Sequence, residues 1–248
     1  MILLHAGVAD RRAWTGVAAD LAERGFDVVS YDRRGFGDTP AIGMPDHVAD
    51  LRAVVQSVAD GPVWLVGNSQ GGRVALDLAL TDPPSVAGLV LIAPAVSGAP
   101  DPDDDELDPD TLRIDAAIGA ADELGDLEAV NRLEAQLWLD GPAAAEGRVT
   151  GPARDLFLAM NAVALAADWP EDSQLEELAT WDRLGEIDVP AMIVWGELDL
   201  PFFADQCREL AERLGDVRDV IELPAVAHLP GLEDPGGVAE LIAGAVAG

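Results

Sequence analysis

The sequence has few of the residues on which disulfide-linked, metal-binding and nucleic-acid-binding proteins depend. Its 248 residues include one cysteine, Cys207, and no lysine, so that arginine supplies all 15 basic side chains. A lone cysteine cannot form an internal disulfide and is too few for a cysteine-rich metal site. Cys207 lies in an amphipathic helical pattern, where we expect it to pack rather than react. No motif for a metal or a cofactor is present, and we expect neither.

Positive charge is scarce, because 46 acidic residues give the chain a formal charge of −31. Nucleic acids require a basic surface, which this composition excludes. The same charge opposes the long-range attraction of anions, so we expect a small neutral substrate. Two explanations of the acidity stay open. One is adaptation to high salt, in which screening relieves self-repulsion, and the other is a GC-rich genome that replaces lysine with arginine.

Long apolar runs are also absent. No stretch of about 18 uncharged apolar residues occurs, which argues against a membrane-spanning helix. The N-terminus, Met1-Ile2-Leu3-Leu4-His5, lacks the charged start and cleavage site of a signal peptide. We therefore expect a cytoplasmic monomer or homodimer that does not bind membranes.

What is present is an alternation of short apolar runs with longer segments of helical spacing. Strands are predicted at 2–4, 26–31, 62–66, 87–92, 190–195 and 217–223. Helices are predicted at 11–24, ending at Gly25, and at 45–60, 70–80, 201–214 and from 235 onward. This alternation predicts an α/β protein whose mostly parallel sheet is covered by helices on both faces.

The alternation stops between residues 97 and 184. Seven of the ten residues at 101–110 are acidic, and the stretch from there to about Trp181 is rich in alanine and helical in pattern. A calcium loop would need a glycine for its tight turn, which the acidic run lacks, so we expect a solvated linker. The sequence thus predicts a core of residues 1–96 and 185–248, interrupted by a helical cap at 97–184.

A candidate nucleophile lies where the third strand meets the third helix. The sequence Gly67-Asn68-Ser69-Gln70-Gly71 matches the pattern G-x-S-x-G. In that pattern a sharp turn exposes the serine hydroxyl, small residues allow the chains to approach closely, and the helix N-terminus favours negative charge. An apolar strand before the motif and a helix after it are the expected context.

Ser69 needs a base and an orienting acid, because a serine hydroxyl alone is a poor nucleophile. His228 follows the last predicted strand, at the sheet edge where Ser69 also lies, whereas His47 is expected at the surface and His5 in a turn. Asp199 follows the fifth strand, and the order Ser, Asp, His is the expected one. Glu197 and Asp205 are alternatives for the acid.

The negative charge that develops during acyl transfer requires backbone donors. The N–H of Gln70, directly after Ser69, is the first candidate for this oxyanion hole. The second is expected in the turn after the first strand, where we favour Gly7 over Val8.

Together these motifs resemble the α/β-hydrolase superfamily. The residues that carry the resemblance are His5-Ala6-Gly7, Tyr31 to Gly37 in a D-x-R-G-x-G loop, the turn at Ser69, Gly196 to Asp199, and His228. The resemblance covers residues 1–96 and 185–248 and implies an α/β-hydrolase fold with a variable cap. Ala6 replaces a usual glycine, and the first two strands of the family have no counterpart. Three explanations stay open: the start of the chain is assigned too late, the sequence is trimmed, or the protein tolerates a shortened sheet. Loss of an edge hairpin exposes unpaired backbone, so we expect it to favour association.

The resemblance implies a serine hydrolase that cleaves a small ester or lactone without a cofactor. A carbon–carbon bond hydrolase is the first alternative, because members of that group also carry asparagine before the serine. Its substrates are carboxylates, for which Arg73, Arg132 and Arg154 are candidate partners. A cofactor-free haloperoxidase-like enzyme is the second alternative, and a ligand receptor that retains the three residues is a third.

Candidate pocket residues come mainly from the cap, since caps in this superfamily carry substrate choice. Each of them also has the residue type and spacing of a side chain that packs inside the protein and does not touch substrate. The candidates are Val8, Trp138, Phe157, Met160, Asn161, Trp169 and Leu229.

Overall fold

Six strands form the centre of the molecule in the computed structural model, which describes residues 1–103, 107–169 and 178–248. The strands are β1 (Ile2–Leu4), β2 (Val29–Ser30), β3 (Val63–Asn68), β4 (Val86–Ile92), β5 (Ala191–Gly196) and β6 (Val217–Leu223). They pair in the order β2-β1-β3-β4-β5-β6, and every pairing is parallel. The central strands are apolar and buried, as expected for a sheet covered on both faces.

Helices cover the two faces of this sheet and alternate with its strands. The helices of the core are α1 (Thr15–Glu23), α2 (His47–Val58), α3 (Gln70–Thr81), α7 (Pro201–Arg213), α8 (Pro230–Glu233) and α9 (Pro235–Ala247). Buried side chains of α1 and α9 share one apolar cluster with the sheet, and those of α2, α3 and α7 share the other. The predicted α/β class and its two covered faces are confirmed.

The stretch between β4 and β5 is helical where it is described. It contains α4 (Pro109–Glu123), α5 (Leu127–Glu134), a π-helical segment (Ala135–Asp140) and α6 (Pro152–Leu165). Residues 104–106 of the acidic run at 101–110 lie outside the described residues. No helix in the described part of the chain has the length and apolar character needed to cross a bilayer. The division of the chain at residues 97 and 184 stays a prediction.

The second strand is shorter than predicted. Only Val29–Ser30 of the predicted stretch 26–31 pairs with β1. The N–H of Phe26 instead donates to the carbonyl of Leu21 at 3.1 Å, and Gly25 adopts a φ of +90°. These are the features of a helix end, so Phe26 completes the C-terminal turn of α1. Gly25 ends this helix as predicted.

The expectation that His47 lies on the surface is wrong. The side chain is 92% buried at the start of α2, where Asp46 caps the helix by accepting a hydrogen bond from the N–H of Ala49. Burial, with the nearby charges of Arg33, Arg34 and Arg73, lowers the pKa of His47 from 6.5 to about 3. His47 is therefore neutral in the folded protein at any ordinary pH.

This burial makes the folding free energy depend on pH. As pH falls below about 6.5, the unfolded chain gains a proton on His47 that the folded state refuses until about pH 3. Stability is thus present at neutral pH and lost on acidification. We expect His47→Gln to remove about 2 kcal/mol of the stability loss between pH 7 and pH 5, measured by urea unfolding. Equal losses in variant and wild type would contradict the burial.

Candidate active site

Ser69 occupies a strained turn between β3 and α3. Its backbone has φ +52° and ψ −119°, which a residue with a side chain adopts only under constraint. The constraint is visible in its hydrogen bonds. The Ser69 N–H donates to the carbonyl of Ile92 at 2.9 Å, and the Ser69 carbonyl accepts from the N–H groups of Ala95 and Arg73. Neighbouring β4 therefore holds the turn that begins α3.

Two glycines allow this turn to form. A Cβ on Gly71 would collide with the carbonyl oxygen of Leu4 at the end of β1. A Cβ on Gly67 would lie 2.5 Å from backbone atoms of Gly71 and Gly72. Because the obstructing atoms belong to the backbone, they cannot move aside. The small residues that flank Ser69 in the motif are therefore required by close approach of β1, β3 and α3.

The structure brings His228 and Asp199 together at the same edge of the sheet. Nδ1 of His228 lies 2.8 Å from Oδ2 of Asp199, and both side chains are almost wholly buried. The other oxygen of Asp199 accepts from the N–H of Leu200 at 2.8 Å. Asp199 lies between β5 and α7, and His228 lies between β6 and α8. Each residue therefore follows the end of a strand.

The imidazole of His228 lies between two aromatic rings and has one nitrogen unused. The centroids of Trp138 and Phe203 are 4.8 Å and 4.6 Å from its own. Among the described residues, no group bonds to the buried Nε2 of His228. A buried polar atom without a partner is costly. Nδ1 is directed to Asp199, and Nε2 makes no hydrogen bond to Ser69 or to any other described residue.

Asn68 links the nucleophile turn to the His228 loop, a role that the sequence did not indicate. Its side-chain amide donates to the carbonyl of His228 and to that of Ile92, each at 3.0 Å. The first bond joins residues 160 positions apart. Asparagine directly before the serine was the available signal, but only the fold shows which carbonyls it contacts.

Two glutamates anchor the loop that carries His228. Oε2 of Glu197 accepts from the N–H of Ala225 at 2.9 Å, and Oε1 of Glu233 accepts from the N–H of Ala227 at 2.7 Å. Glu233 also pairs with Arg148 from the helical stretch at 2.6 Å. Burial raises the pKa of Glu233, while these two donors act in the opposite direction. Asp205, the other alternative acid, is exposed and pairs with Arg208 instead.

The turn after β1 is organised by a buried arginine. The guanidinium of Arg33 donates to the carbonyls of His5 and Ala6 at 3.0 Å and 3.2 Å, and to Oε1 of Gln70 at 3.2 Å. The side-chain amide of Gln70 in turn packs against Gly7, where a Cβ would lie 2.8 Å from its Cδ. The two predicted oxyanion residues, Gly7 and Gln70, are thus neighbours.

His5 has the structural role that was predicted for it. Its Nδ1 lies 2.8 Å from the carbonyl of Ala6, and its Nε2 accepts from the backbone N–H of Arg33 at 3.1 Å. These partners fit a neutral ring with the proton on Nδ1. Burial lowers the pKa of His5 well below its usual value, as does the charge of Arg33.

The predicted pocket residues are divided among different surroundings. The Trp138 ring packs against that of His228. Phe157, Met160 and Leu229 are buried in one cluster with Ala6, and Val8 packs against it. Asn161 donates to Asn131 at 3.1 Å and to Glu134. The Trp169 ring lies against Gly35.

Cys207 is a packing residue, as predicted. It is fully buried in α7, and burial raises the pKa of its thiol further from neutrality. A thiol of that kind is a poor nucleophile. Within the described ranges, no group of three or more His, Cys, Asp or Glu side chains is arranged to hold a metal ion.

Comparison with known proteins adds to this geometry. The sequence profile of a family described as the alpha/beta hydrolase fold matches residues 1–235. Lipase LipV of Mycobacterium tuberculosis is 32% identical over 145 residues, which are 56% of this chain and 51% of LipV. The chain therefore spans about half the length of that relative.

Two further proteins match over almost the whole chain. The 2-succinyl-6-hydroxy-2,4-cyclohexadiene-1-carboxylate synthase of an Enterobacter species is 29% identical over 98% of this chain and 90% of its own. The structure of Est816, described as an N-acyl homoserine lactone degrading enzyme, superposes with a TM-score of 0.73 at 24% identity. That match covers 98% of this chain and 91% of Est816, and it supports the fold.

The link through Asn68 leads to a test. Asn68→Ala leaves the buried carbonyl of His228 without this donor, while the carbonyl of Ile92 keeps the N–H of Ser69, so we expect a stability loss of about 1–3 kcal/mol. Because the His228 loop is also released, kcat for an ester substrate should fall about tenfold or more.

The matched control is Asn131→Ala, which removes a similar amide bond to the carbonyl of Leu158 and the bond that Asn131 accepts from Asn161, with no bond to the His228 loop. It should lower the unfolding free energy and leave kcat unchanged. Wild-type kcat in Asn68→Ala would show that Asn68 does not position the His228 loop.

Proposed function

Because the chain belongs to the alpha/beta hydrolase fold family, we propose that it is a serine hydrolase cleaving a small carboxylic ester or lactone. The reaction passes through an acyl-enzyme on Ser69, with His228 as base and Asp199 as the acid that orients it. No metal or cofactor takes part in these steps.

The observation that carries the proposal is the pairing at His228. Nδ1 is committed to Asp199 at 2.8 Å, while Nε2 is buried and without a partner among the described residues. Asp199 therefore holds the tautomer in which Nε2 accepts a proton, and it stabilises the imidazolium that results. The bonds of Asn68 keep the His228 backbone attached to the strand that ends at Ser69.

The chemical steps follow from this arrangement. His228 removes the proton from Ser69, whose oxygen attacks the carbonyl carbon, and then gives the proton to the leaving alcohol. Water, deprotonated by His228 in turn, attacks the acyl-enzyme, and His228 then returns the proton to the Ser69 oxygen as the acid leaves. For a lactone, the leaving alcohol stays attached to the product as a hydroxy acid.

The oxyanion of each tetrahedral intermediate would be held by the backbone N–H groups of Gln70 and Gly7. Gln70 is the first residue of α3, so its N–H also lies at the positive end of that helix. Arg33 supports both donors, since it bonds to the carbonyls of His5 and Ala6 and to the Gln70 side chain. Preorganised donors of this kind need no rearrangement during the reaction.

We also propose that the helical stretch at 97–184 acts as a cap over the site. Trp138 covers one side of the His228 ring, and Phe157 and Met160 pack with Ala6 of the oxyanion turn. Arg148 bonds to the carbonyl of Ala225 at 3.1 Å, which joins the cap to the His228 loop. A cap in this position excludes water and shapes the space for the acyl group.

The comparisons support an ester or a lactone as the bond that is cleaved. LipV carries the name of a lipase, and Est816 is described as degrading a lactone. The intact set of Ser69, Asp199 and His228 favours catalysis over a receptor, which needs only to bind.

Removal of the Ser69 hydroxyl tests this function. We expect Ser69→Ala to lower kcat/KM for p-nitrophenyl butyrate by a factor on the order of 10³ or more, because no other group forms the acyl-enzyme. The rate is followed by release of p-nitrophenolate.

Ser57→Ala is the matched control, because that exposed hydroxyl bonds only to the carbonyl of Val54 within its own helix. It should keep the wild-type rate. Equal rates in Ser69→Ala and wild type would remove Ser69 from the mechanism. A folded wild type that turns over none of a broad panel of esters and lactones would favour the receptor.

A further inference from the structure

A cavity of about 190 Å³ lies between α2 and α3, against the residue that follows Ser69. At about 30 Å³ per water molecule, it has room for roughly six waters or a small organic group. Gln70, which directly follows the proposed nucleophile in the chain, is one of the residues that line the cavity. Its charged and polar lining consists of Arg33, Asp46, His47, Arg52, Gln70, Arg73, Asp77 and Thr81.

Three of the chain's 15 arginines meet at this cavity, in a protein whose formal charge is −31. Arg33 is wholly buried, and its described partners are carbonyl oxygens, the Gln70 amide, His5 and the ring of Phe36, none of them a carboxylate. Within the described ranges, its Nε has no hydrogen-bond partner. Burial lowers the pKa of Arg33 to about 10, so it is still charged at neutral pH.

The acids at the cavity are already engaged. Asp46 caps α2, and both oxygens of Asp77 accept hydroxyl bonds, from Thr180 at 2.5 Å and from Ser97 at 2.7 Å. Arg73 donates to the same Ser97 at 2.7 Å and lies 4.0 Å from Asp77, so it has partners of its own. Arg33, by contrast, has no carboxylate partner among the described residues.

A second buried polar atom at the cavity lacks a partner. Nδ1 of His47 makes no hydrogen bond within the described part of the chain. A buried cation without a counter-ion and an unpaired buried nitrogen both cost free energy unless a ligand satisfies them. An anion with acceptor oxygens suits both, since it supplies negative charge to Arg33 and accepts a hydrogen bond from neutral His47 when the proton is on Nδ1.

We propose that this cavity binds a carboxylate group of the substrate, so that the ester or lactone cleaved at Ser69 carries a negative charge near its reacting carbonyl. The proposal rests on the hydrolase function proposed above and replaces the sequence-based expectation of a neutral substrate. The overall charge of −31 acts over distance and is screened beyond about 8 Å at physiological salt. Contact with Arg33 and Arg73 acts at a few ångströms, where these two positive charges attract a carboxylate more strongly than the distant acidic residues repel it.

Arg73 is also the one of the three candidate arginines that reaches this cavity. Arg132 is exposed and pairs with Glu146 at 3.4 Å, whereas Arg154 pairs with the buried Asp140 at 2.7 Å. Neither lines the cavity. Arg132 therefore provides a matched control for substitutions at Arg73.

The test compares two esters of equal acyl length, p-nitrophenyl butyrate and mono-p-nitrophenyl succinate, at constant ionic strength. We expect wild-type kcat/KM to be at least about tenfold higher for the succinate half-ester. Arg33→Met and Arg73→Met should each lower the ratio of the two values by about tenfold or more, and Arg132→Met should leave it unchanged. If Arg33→Met does not fold, the wild-type ratio and Arg73→Met still decide the question.

Calorimetric titration of wild-type protein with succinate supplies a readout that does not need turnover. Binding of succinate, weakened in Arg73→Met and retained in Arg132→Met, would support the carboxylate site. Hydrolysis of butyrate with no preference for the succinate ester and no succinate binding would overturn the site and leave the hydrolase intact. Succinate binding without hydrolysis of either ester would support the site and contradict the hydrolase.

Discussion

The left-handed backbone of Ser69 is the constraint on which the rest of the site depends. A residue with a Cβ in this region costs of order 1–3 kcal/mol and persists only where its surroundings enforce it. Here β4 enforces it through the bonds of Ile92 and Ala95, while Gly67 and Gly71 let β1, β3 and α3 meet without collision. The conformation of the turn therefore depends on the neighbouring strands of the sheet.

The parallel sheet also explains why distant residues meet at Ser69. The strands end at one edge, and the segments after β1, β2, β3, β5 and β6 bring His5, Arg33, Ser69, Asp199 and His228 to that edge. Asn68 at the end of β3 and Glu197 after β5 then attach the last of these loops to neighbouring strand ends, while Glu233 of α8 bonds to it locally. In each of these contacts a side chain bonds to a backbone group of the loop. The loop is therefore held in position independently of the identity of its own side chains.

The sequence predicted a residue's place in the site where the pattern lay in neighbouring residues of the chain. The motif at Ser69 and the acid after β5 each follow an apolar run, and His228 follows the mixed strand β6, so their place at the sheet edge could be predicted. The end of α1 at Gly25 is equally local, although the strand after it proved shorter than its apolar residues suggested. The sequence did not indicate that His47 and Arg33 are buried, because their burial depends on packing between segments distant in the chain. The same holds for Asn68, whose partner lies 160 residues away, and for the cavity between α2 and α3.

The central claim is that Ser69, activated by His228, forms a covalent acyl-enzyme. Reaction with a fluorophosphonate probe, followed by peptide mapping in a mass spectrometer, tests it directly. The account predicts a single adduct on the peptide that contains Ser69, and much slower labelling in His228→Ala. An adduct on any other residue, or labelling at Ser69 that is as fast without His228, would contradict it.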